Sequence, residues 1–389
     1  MIKKLIGIIT FLVICVFSFG NDWAFESRGE HLIPLEISNI AIKKEKIELK
    51  FEENKASMNI SVNFVFDSPS EGKKTIGFIT PPDEYNDADS PGGEYNPDNI
   101  KNFKTMVNGK AVKISIGKAS EFLNKGFFTK EAEKEYKEKY GKAYVYYFTA
   151  DLKKGENIIN HSYSYNGASS TTDKGEYQYV LTTISKWKNK KVDDFEITVS
   201  MPKNIVFSLP YSFWNNGKRV NWELIGEGDI IFLDKSKLKE GYSEIVYAKL
   251  KNGYIRYKTQ NFSPDEEFIS EIPNNSFQFP NVKSDIKING YKFNDSLEEE
   301  IGSCLDETAT QSYCKEPIKK LDRLSTFQFE IMRNYPFAKY GYNFSRKDLK
   351  DYFKQFFWYE PKDNVFVPEY EYKNRVKILD SILKKRKNK

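Results

Sequence analysis

From about residue 37 to residue 250, hydrophobic and polar positions alternate with a period of two. Met58, Ile60, Val62, Phe64 and Phe66 are separated by mostly polar residues, the pattern of a strand with one buried face. The same alternation recurs at Val112-Ile114-Ile116, His161-Tyr163-Tyr165, Tyr177-Tyr179-Leu181 and Phe195-Ile197-Val199. Asn-Gly pairs stand at 108–109, 166–167, 216–217, 252–253 and 289–290, and such pairs accept the positive φ angles of two-residue hairpin turns. Many short strands punctuated by turns predict antiparallel sandwiches or a barrel.

One stretch interrupts this pattern. Ser120 to Lys142 is rich in Glu and Lys and poor in β-branched residues, which predicts a helical insertion with Thr129 as a candidate N-cap. Two sandwich-like modules are therefore expected, over 21–118 and 143–260, with the insertion at 119–142. Pro264, Pro273 and Pro280 lie among several asparagines between 263 and 285, so 261–316 reads as a linker region.

After Cys314 the period becomes helical. Ile318, Leu321, Leu324, Phe327 and Ile331 recur every three or four residues behind Pro317, which suits a first helical turn. Ser345 and Asp348 resemble a capping box, followed by Leu349, Tyr352, Phe353 and Phe356 on one face. A last helix from about Glu369 carries Val376, Leu379, Ile382 and Leu383 and ends in KKRKNK. The expected fold is a multidomain α+β chain: mainly antiparallel β, then a small α-helical module over 317–389.

Composition narrows the function classes. Of 389 residues, 39% are hydrophobic and 30% charged, which excludes a multi-span membrane protein and a wholly disordered chain. The net charge of +5 is small and evenly mixed, which argues against nucleic acid as a partner. Lys3 and Lys4, the apolar run Leu5 to Phe19 and the exit Ser18-Phe19-Gly20 form a signal peptide over 1–20. Export to the periplasm or the extracellular space is expected, with a retained anchor or lipidation at Cys15 as alternatives. Once the signal is removed, Cys304 and Cys314 remain, an even pair that predicts a disulfide in an oxidising compartment.

The run Arg333-Asn334-Tyr335-Pro336-Phe337-Ala338-Lys339-Tyr340-Gly341 is followed by Phe344, Leu349, Tyr352-Phe353, Trp358-Tyr359 and Pro361. With Glu371 and Asn374, this spacing resembles the YARHG domain, a small domain found mostly on exported bacterial proteins. The resemblance implies a structural role for Arg333, Asn334, Phe337, Ala338, Gly341, Phe344, Tyr352, Phe353, Trp358, Tyr359 and Pro361. The chain departs from the family at three positions: Tyr340 replaces the histidine, Lys339 the arginine and Pro336 the isoleucine. Histidine chemistry is thereby lost, and Pro336 is expected to kink or break a helix. The β region resembles an exported bacterial family of unknown function through Gly77-Phe78-Ile79-Thr80-Pro81-Pro82, Tyr179-Val180-Leu181-Thr182-Thr183 and Trp187.

Four features carry candidate chemistry. Asp87, Asp89 and Asp98 in the acidic loop 81–98 echo calcium-loop positions, although Pro91 occupies a ligand position; Ca²⁺ is the one cofactor the sequence suggests. Tyr211, Phe213 and Trp214 beside the Asn216-Gly217 turn offer stacking surfaces for a sugar or an anchor for a protein. His31 and His161 stand apart, with no nucleophile elbow, and supply neither a triad nor a three-ligand zinc site. The basic tail 384–389 reads as solvated, and its deletion is expected to leave folding unchanged. The favoured function is a non-enzymatic exported protein binding a cell-wall polymer or envelope protein. The competing class is an envelope hydrolase acting on glycan or peptidoglycan through paired carboxylates.

Overall fold

The computed structural model describes residues 28–29, 32–34, 39–52, 57–80, 100–118, 144–167, 173–273, 279, 281–306 and 314–387. The expected signal (1–20), the acidic loop with Asp87, Asp89 and Asp98, and the helical insertion lie outside the described residues. In chain order come β1 (Arg28–Gly29), β2 (Leu32–Pro34), β3 (Ala41–Phe51), β4 (Ser57–Ser68), β5 (Gly72–Thr80) and β6 (Ile100–Val107). Next are β7 (Lys110–Ala111), β8 (Ser115–Lys118), β9 (Tyr144–Leu152), β10 (Gly155–Asn166), β11 (Asp173–Tyr179) and β12 (Val192–Ser200). The β region closes with β13 (Val206–Pro210), β14 (Glu223–Leu233), β15 (Ile245–Phe262), β16 (Phe268–Pro273), β17 (Lys287–Ile288) and β18 (Tyr291–Lys292). The α-helices are α1 (Ser296–Asp306), α2 (Lys315–Lys320), α3 (Thr326–Lys339), α4 (Lys347–Phe353) and α5 (Lys373–Lys387).

A nine-stranded sheet runs β13-β15-β12-β3-β4-β10-β6-β7, with β14 also paired to β15. Its pairs are antiparallel apart from β3–β12, which is parallel. A four-stranded sheet (β2-β5-β9-β8) and a three-stranded sheet (β1-β11-β16) contribute to the same hydrophobic core, which holds Phe64, Phe78, Phe148, Tyr177 and Phe268. The alternating positions of β4 face it: Met58, Ile60, Val62, Phe64 and Phe66 are all buried. Each such side chain stabilises the fold by about 1.5–3 kcal/mol.

Segments 21–118 and 143–260 meet in this one sheet, because β4 pairs with β10 and β3 with β12. Alternation fixes which face of a strand is buried, but it carries no information about which strand lies beside it. The proline-rich stretch after 263 contains β16, paired to β11 with Pro273 at its end, a position where a missing N–H is tolerated. Asn108-Gly109 and Asn289-Gly290 both adopt positive φ and close the tight hairpins β6–β7 and β17–β18. Asn252-Gly253 instead lies inside the continuous β15.

The helical module is attached to the sheet's outer face, the one turned away from the main core. Phe357 is buried with Ile231 of β14, Tyr247 of β15, Phe279 and Phe293 in a second apolar cluster. The Trp358 Nε1–H donates to the Phe293 carbonyl at 3.0 Å, and the Phe357 N–H donates to the Lys292 carbonyl at 2.8 Å. Lys249 of β15 is buried at this junction and donates to the Phe357 carbonyl at 2.9 Å. Burial pushes the Lys249 amine below its ordinary range, against the pull of the Glu360 and Asp229 carboxylates.

Inside the module, α3 begins with a capping box between Ser325 and Gln328. Helix α4 begins at Lys347 without a side-chain cap, and Asp348 is held by the Arg346 guanidinium at 2.8 Å, so the expected Ser345 box does not form. Pro336 neither breaks nor ends α3, which continues to Lys339. A proline at 336 leaves the Met332 carbonyl without its helical N–H partner. Arg375 of α5 fills that role, donating from Nη1 to the Met332 carbonyl at 3.2 Å.

Arg375 is fully buried and also forms a bidentate pair with Glu298 of α1, at 2.7 and 3.0 Å, and with Asp306, at 2.7 and 2.6 Å. Lys339 reaches Glu298 at 3.2 Å. Burial alone would raise the Glu298 carboxyl, but the Arg375 and Lys339 cations outweigh it and hold it below its ordinary value. At Asp306 burial outweighs the same arginine and the carboxyl is raised. Cys304 and Cys314 form the expected disulfide, which ties the end of α1 to the start of α2.

The basic tail is not wholly solvated. Arg386 donates to the Leu321 and Leu324 carbonyls, both at 2.6 Å, and its guanidinium lies 4.4 Å from the Phe329 ring centroid. Its distance in sequence from those partners hid this contact from a reading of the tail as a charge run.

Candidate functional site

The outer face of the sheet has an open end, formed by β3, β4, β10 and β6. There the residues between the buried ones of β4 read Asn59, Ser61 and Asn63, and those of β10 read Asn160, Ser162 and Ser164. The β4–β10 register sets them directly opposite in three rows: Asn59 with Ser164, Ser61 with Ser162, and Asn63 with Asn160. Cross-strand partners of this kind lie about 4.5–5.5 Å apart at Cβ. The result is a block of short amides and hydroxyls in mid-sheet, where Asn is depleted because it packs poorly on a pleated surface.

Longer side chains wall this block in. Lys46 and Glu48 of β3 stand on one side, Lys104 and Met106 of β6 on the other, and together they enclose a shallow trough of about 500 Å³. Met106, 41% exposed, is its one apolar rim residue. The Ser61, Asn63, Asn160 and Ser162 side chains make no hydrogen bond with another protein group among the described residues. Lys46 is paired with Glu48 at 2.9 Å and with Glu196 at 3.8 Å, so the β3 wall is near neutral there. The trough can therefore satisfy a ligand that brings several donors and acceptors of its own, such as a polyhydroxylated chain.

Sequence reasoning passed over this site, although Asn59-x-Ser61-x-Asn63 and Asn160-x-Ser162-x-Ser164 were legible as paired polar faces. Its chosen aromatics sit elsewhere. Phe213 is fully buried and Tyr211 half-buried against the main core. Trp214 donates from Nε1 to the Ser263 carbonyl at 2.8 Å, and the Lys218 amine covers its ring at 4.8 Å. Phe213 is thus a core residue rather than a stacking platform, because its turn folds back onto Phe262 and Trp222. His161 is buried beneath the trough with Nδ1 3.0 Å from the Thr105 hydroxyl, packed among Phe78, Phe103 and Tyr163. A paired-carboxylate mechanism finds Glu48 as the only acid lining the trough among the described residues. No group of three metal-binding side chains occurs among the described residues.

The motif residues of the helical module build its interior. Ala338, Phe344, Phe353 and Tyr359 are buried in one cluster, with Phe337, Tyr352 and Trp358 packed against it. Asn334 donates to the Glu330 carbonyl at 2.7 Å, and Arg333 pairs with Asp380 at 3.3 Å. Pro361 is half-buried just ahead of Lys362, which donates through its N–H to the Gly341 carbonyl at 2.8 Å. Gly341 takes a φ of +82°, and a Cβ there would lie 2.5 Å from the Glu360 carbonyl. The Tyr340 hydroxyl donates to Glu371 at 2.9 Å, joining the chain's substitute for the family histidine to the family's glutamate position. Burial and that carboxylate both push the Tyr340 hydroxyl up, so it stays a donor. No helix among the described residues is long and apolar enough to cross a membrane.

Comparison with known proteins places these observations. No curated protein matches the chain. Among solved structures, a Legionella pneumophila protein to which nutrient binding has been ascribed is similar over 93% of this chain and 99% of its own, at 18% identity and a TM-score of 0.58. That likeness concerns the fold. Leukotriene A4 hydrolase from Saccharomyces cerevisiae aligns with 61% of this chain and 30% of its own at 8% identity, with a TM-score of 0.25, too low to carry an argument. Residues 308–382 match the YARHG domain, so the helical module with its Tyr340–Glu371 hydrogen bond and its arginine-mended helix is a YARHG domain.

Proposed function

We propose that this chain is an exported binding protein of the bacterial envelope, and that it holds a hydroxyl-rich cell-wall polymer in the trough on the outer face of its sheet. The observation that carries this reading is the block of Ser61, Asn63, Asn160 and Ser162, whose side chains have no hydrogen-bond partner among the described residues and line the trough, Ser61 exposed and the other three half-buried. Support for binding in general comes from the fold neighbour to which nutrient binding is ascribed. The YARHG domain, the disulfide and the signal-like first 20 residues support export. A neutral lattice of donors and acceptors suits sugar hydroxyls, which both donate and accept.

The test is a pull-down of the purified chain, without residues 1–20, on isolated cell wall beside a charge-matched control. Retention above the control is expected, and Ser61→Tyr with Ser162→Tyr, which fills the trough, should abolish it. Equal retention of the filled variant would assign adhesion to another surface.

A further inference from the structure

The wall formed by β6 carries a register irregularity with a chemical result. Lys104 lines the trough opposite Ser162, and Lys101 stands opposite Ser164 in the next row, at the trough's end. In a regular strand, residues three apart point to opposite faces. A bulge between them sets Asn102 and Phe103 together against Tyr163 and restores the phase. Asn102 takes a φ of +57° there, the left-handed conformation that asparagine tolerates better than most non-glycine residues. Phe103 turns inward to pack on Phe78 and Tyr146.

The bulge thus places Lys101 and Lys104 on the same face of β6, in neighbouring rows along one edge of the trough. Both are exposed, and neither forms an ion pair among the described residues. Across the trough, Lys50 is exposed in the same row as Asn59, Ser164 and Lys101, and it is likewise unpaired among the described residues. Lys46, by contrast, is neutralised by its carboxylates. The trough therefore has a neutral hydrogen-bonding floor and a positive margin.

We propose that Lys101 and Lys104 are the anion-recognising edge of this trough and that its ligand is an acidic polysaccharide. The sugar hydroxyls would meet Ser61, Asn63, Asn160 and Ser162, and the anionic substituents would meet the two lysines. This rests on the reading of the trough as a binding site, and the experiment separates the two.

Calorimetric titration of the chain without residues 1–20 would use polygalacturonate, neutral dextran and inorganic polyphosphate. The expected order is polygalacturonate first, with Lys101→Gln/Lys104→Gln weakening it roughly tenfold toward the dextran level. Lys101→Glu/Lys104→Glu should remove it, and thermal melting should confirm that both variants stay folded. Equal binding of polygalacturonate and dextran, unchanged by the lysine variants but lost in Ser61→Tyr/Ser162→Tyr, would overturn the charged edge and leave the trough standing. Polyphosphate binding as tightly as polygalacturonate would also overturn the inference, by reducing it to charge attraction alone. If no probe responds to the filled trough, both readings fail.

Discussion

One face of one sheet meets two different fates. Over β13, β15 and β14 the outer face is apolar, with Tyr247 and Ile231 buried under Phe279, Phe293 and Phe357. Over β3, β4, β10 and β6 the same face is a half-exposed field of Asn and Ser that no described segment covers. Backbone pairing is continuous between the two ends, so the difference lies in the side chains alone. Where they are apolar, the face calls for a cover, and residues 279–293 supply it together with Phe357 of the YARHG domain. Where they are short and polar, no hydrophobic term drives a cover on, and no described segment covers the surface.

The sharpest way to break the covered end is Arg375→Met. It leaves the buried Glu298 carboxylate with Lys339 as its remaining cation and frees the Met332 carbonyl, so a loss of about 3–5 kcal/mol is expected in urea denaturation. The same clamp responds to pH. Glu298 has a folded-state value below its ordinary one, so the stability it adds is complete above about pH 4.3 and is lost as pH falls through the lower folded value. Asp306, raised by burial, has the opposite sign: its favourable share is present at low pH and lost as pH rises through the raised value. The deficit of Glu298→Gln relative to the parent chain should therefore shrink in acid, and a deficit independent of pH would contradict the ion pairing.

Next in size is the disulfide, which holds Cys304 two residues from Asp306. Replacing both cysteines with serine should cost about 2–3 kcal/mol, read as a lower melting temperature. Deleting 384–389 comes third. It removes the Arg386 contacts with Leu321, Leu324 and Phe329, and about 1–3 kcal/mol should be lost, since each hydrogen bond from a charged donor contributes about that much. The smallest effect on stability belongs to the open end: Ser61→Tyr with Ser162→Tyr should change it by under about 0.5 kcal/mol, since tyrosine suits a strand face. The same pair should nevertheless abolish wall retention, and a large unfolding penalty would show that the trough is a structural surface.

Local pattern carried much of this architecture and missed the contacts that bridge distant residues. The alternation through Phe66, the pair Cys304 and Cys314, and the turn at Asn108-Gly109 all rest on periods or chemistry confined to a few positions. The trough depends on β4 lying beside β10, a hundred residues later, and no local period reports that neighbour. Arg375 looks in sequence like any arginine on an amphipathic helix. Its burial follows from three helices converging, a tertiary fact that the sequence pattern of α5 does not contain. The turn at Asn252-Gly253 fails for a related reason: pairing with β14 carries β15 straight through a dipeptide that would reverse an isolated chain.

The mended helix has a bearing on the order of synthesis. The carbonyl that Pro336 leaves bare waits for a guanidinium 43 residues further along the chain. A growing chain therefore carries an incomplete α3 until Arg375 has been added and can reach it. The helical module should close only once Arg375 is available, whereas β3 to β16 can pair before it. Hydrogen exchange on chains truncated before Arg375 should find the amides of Ala338 and Lys339 unprotected, and those of the sheet core protected as in the whole protein.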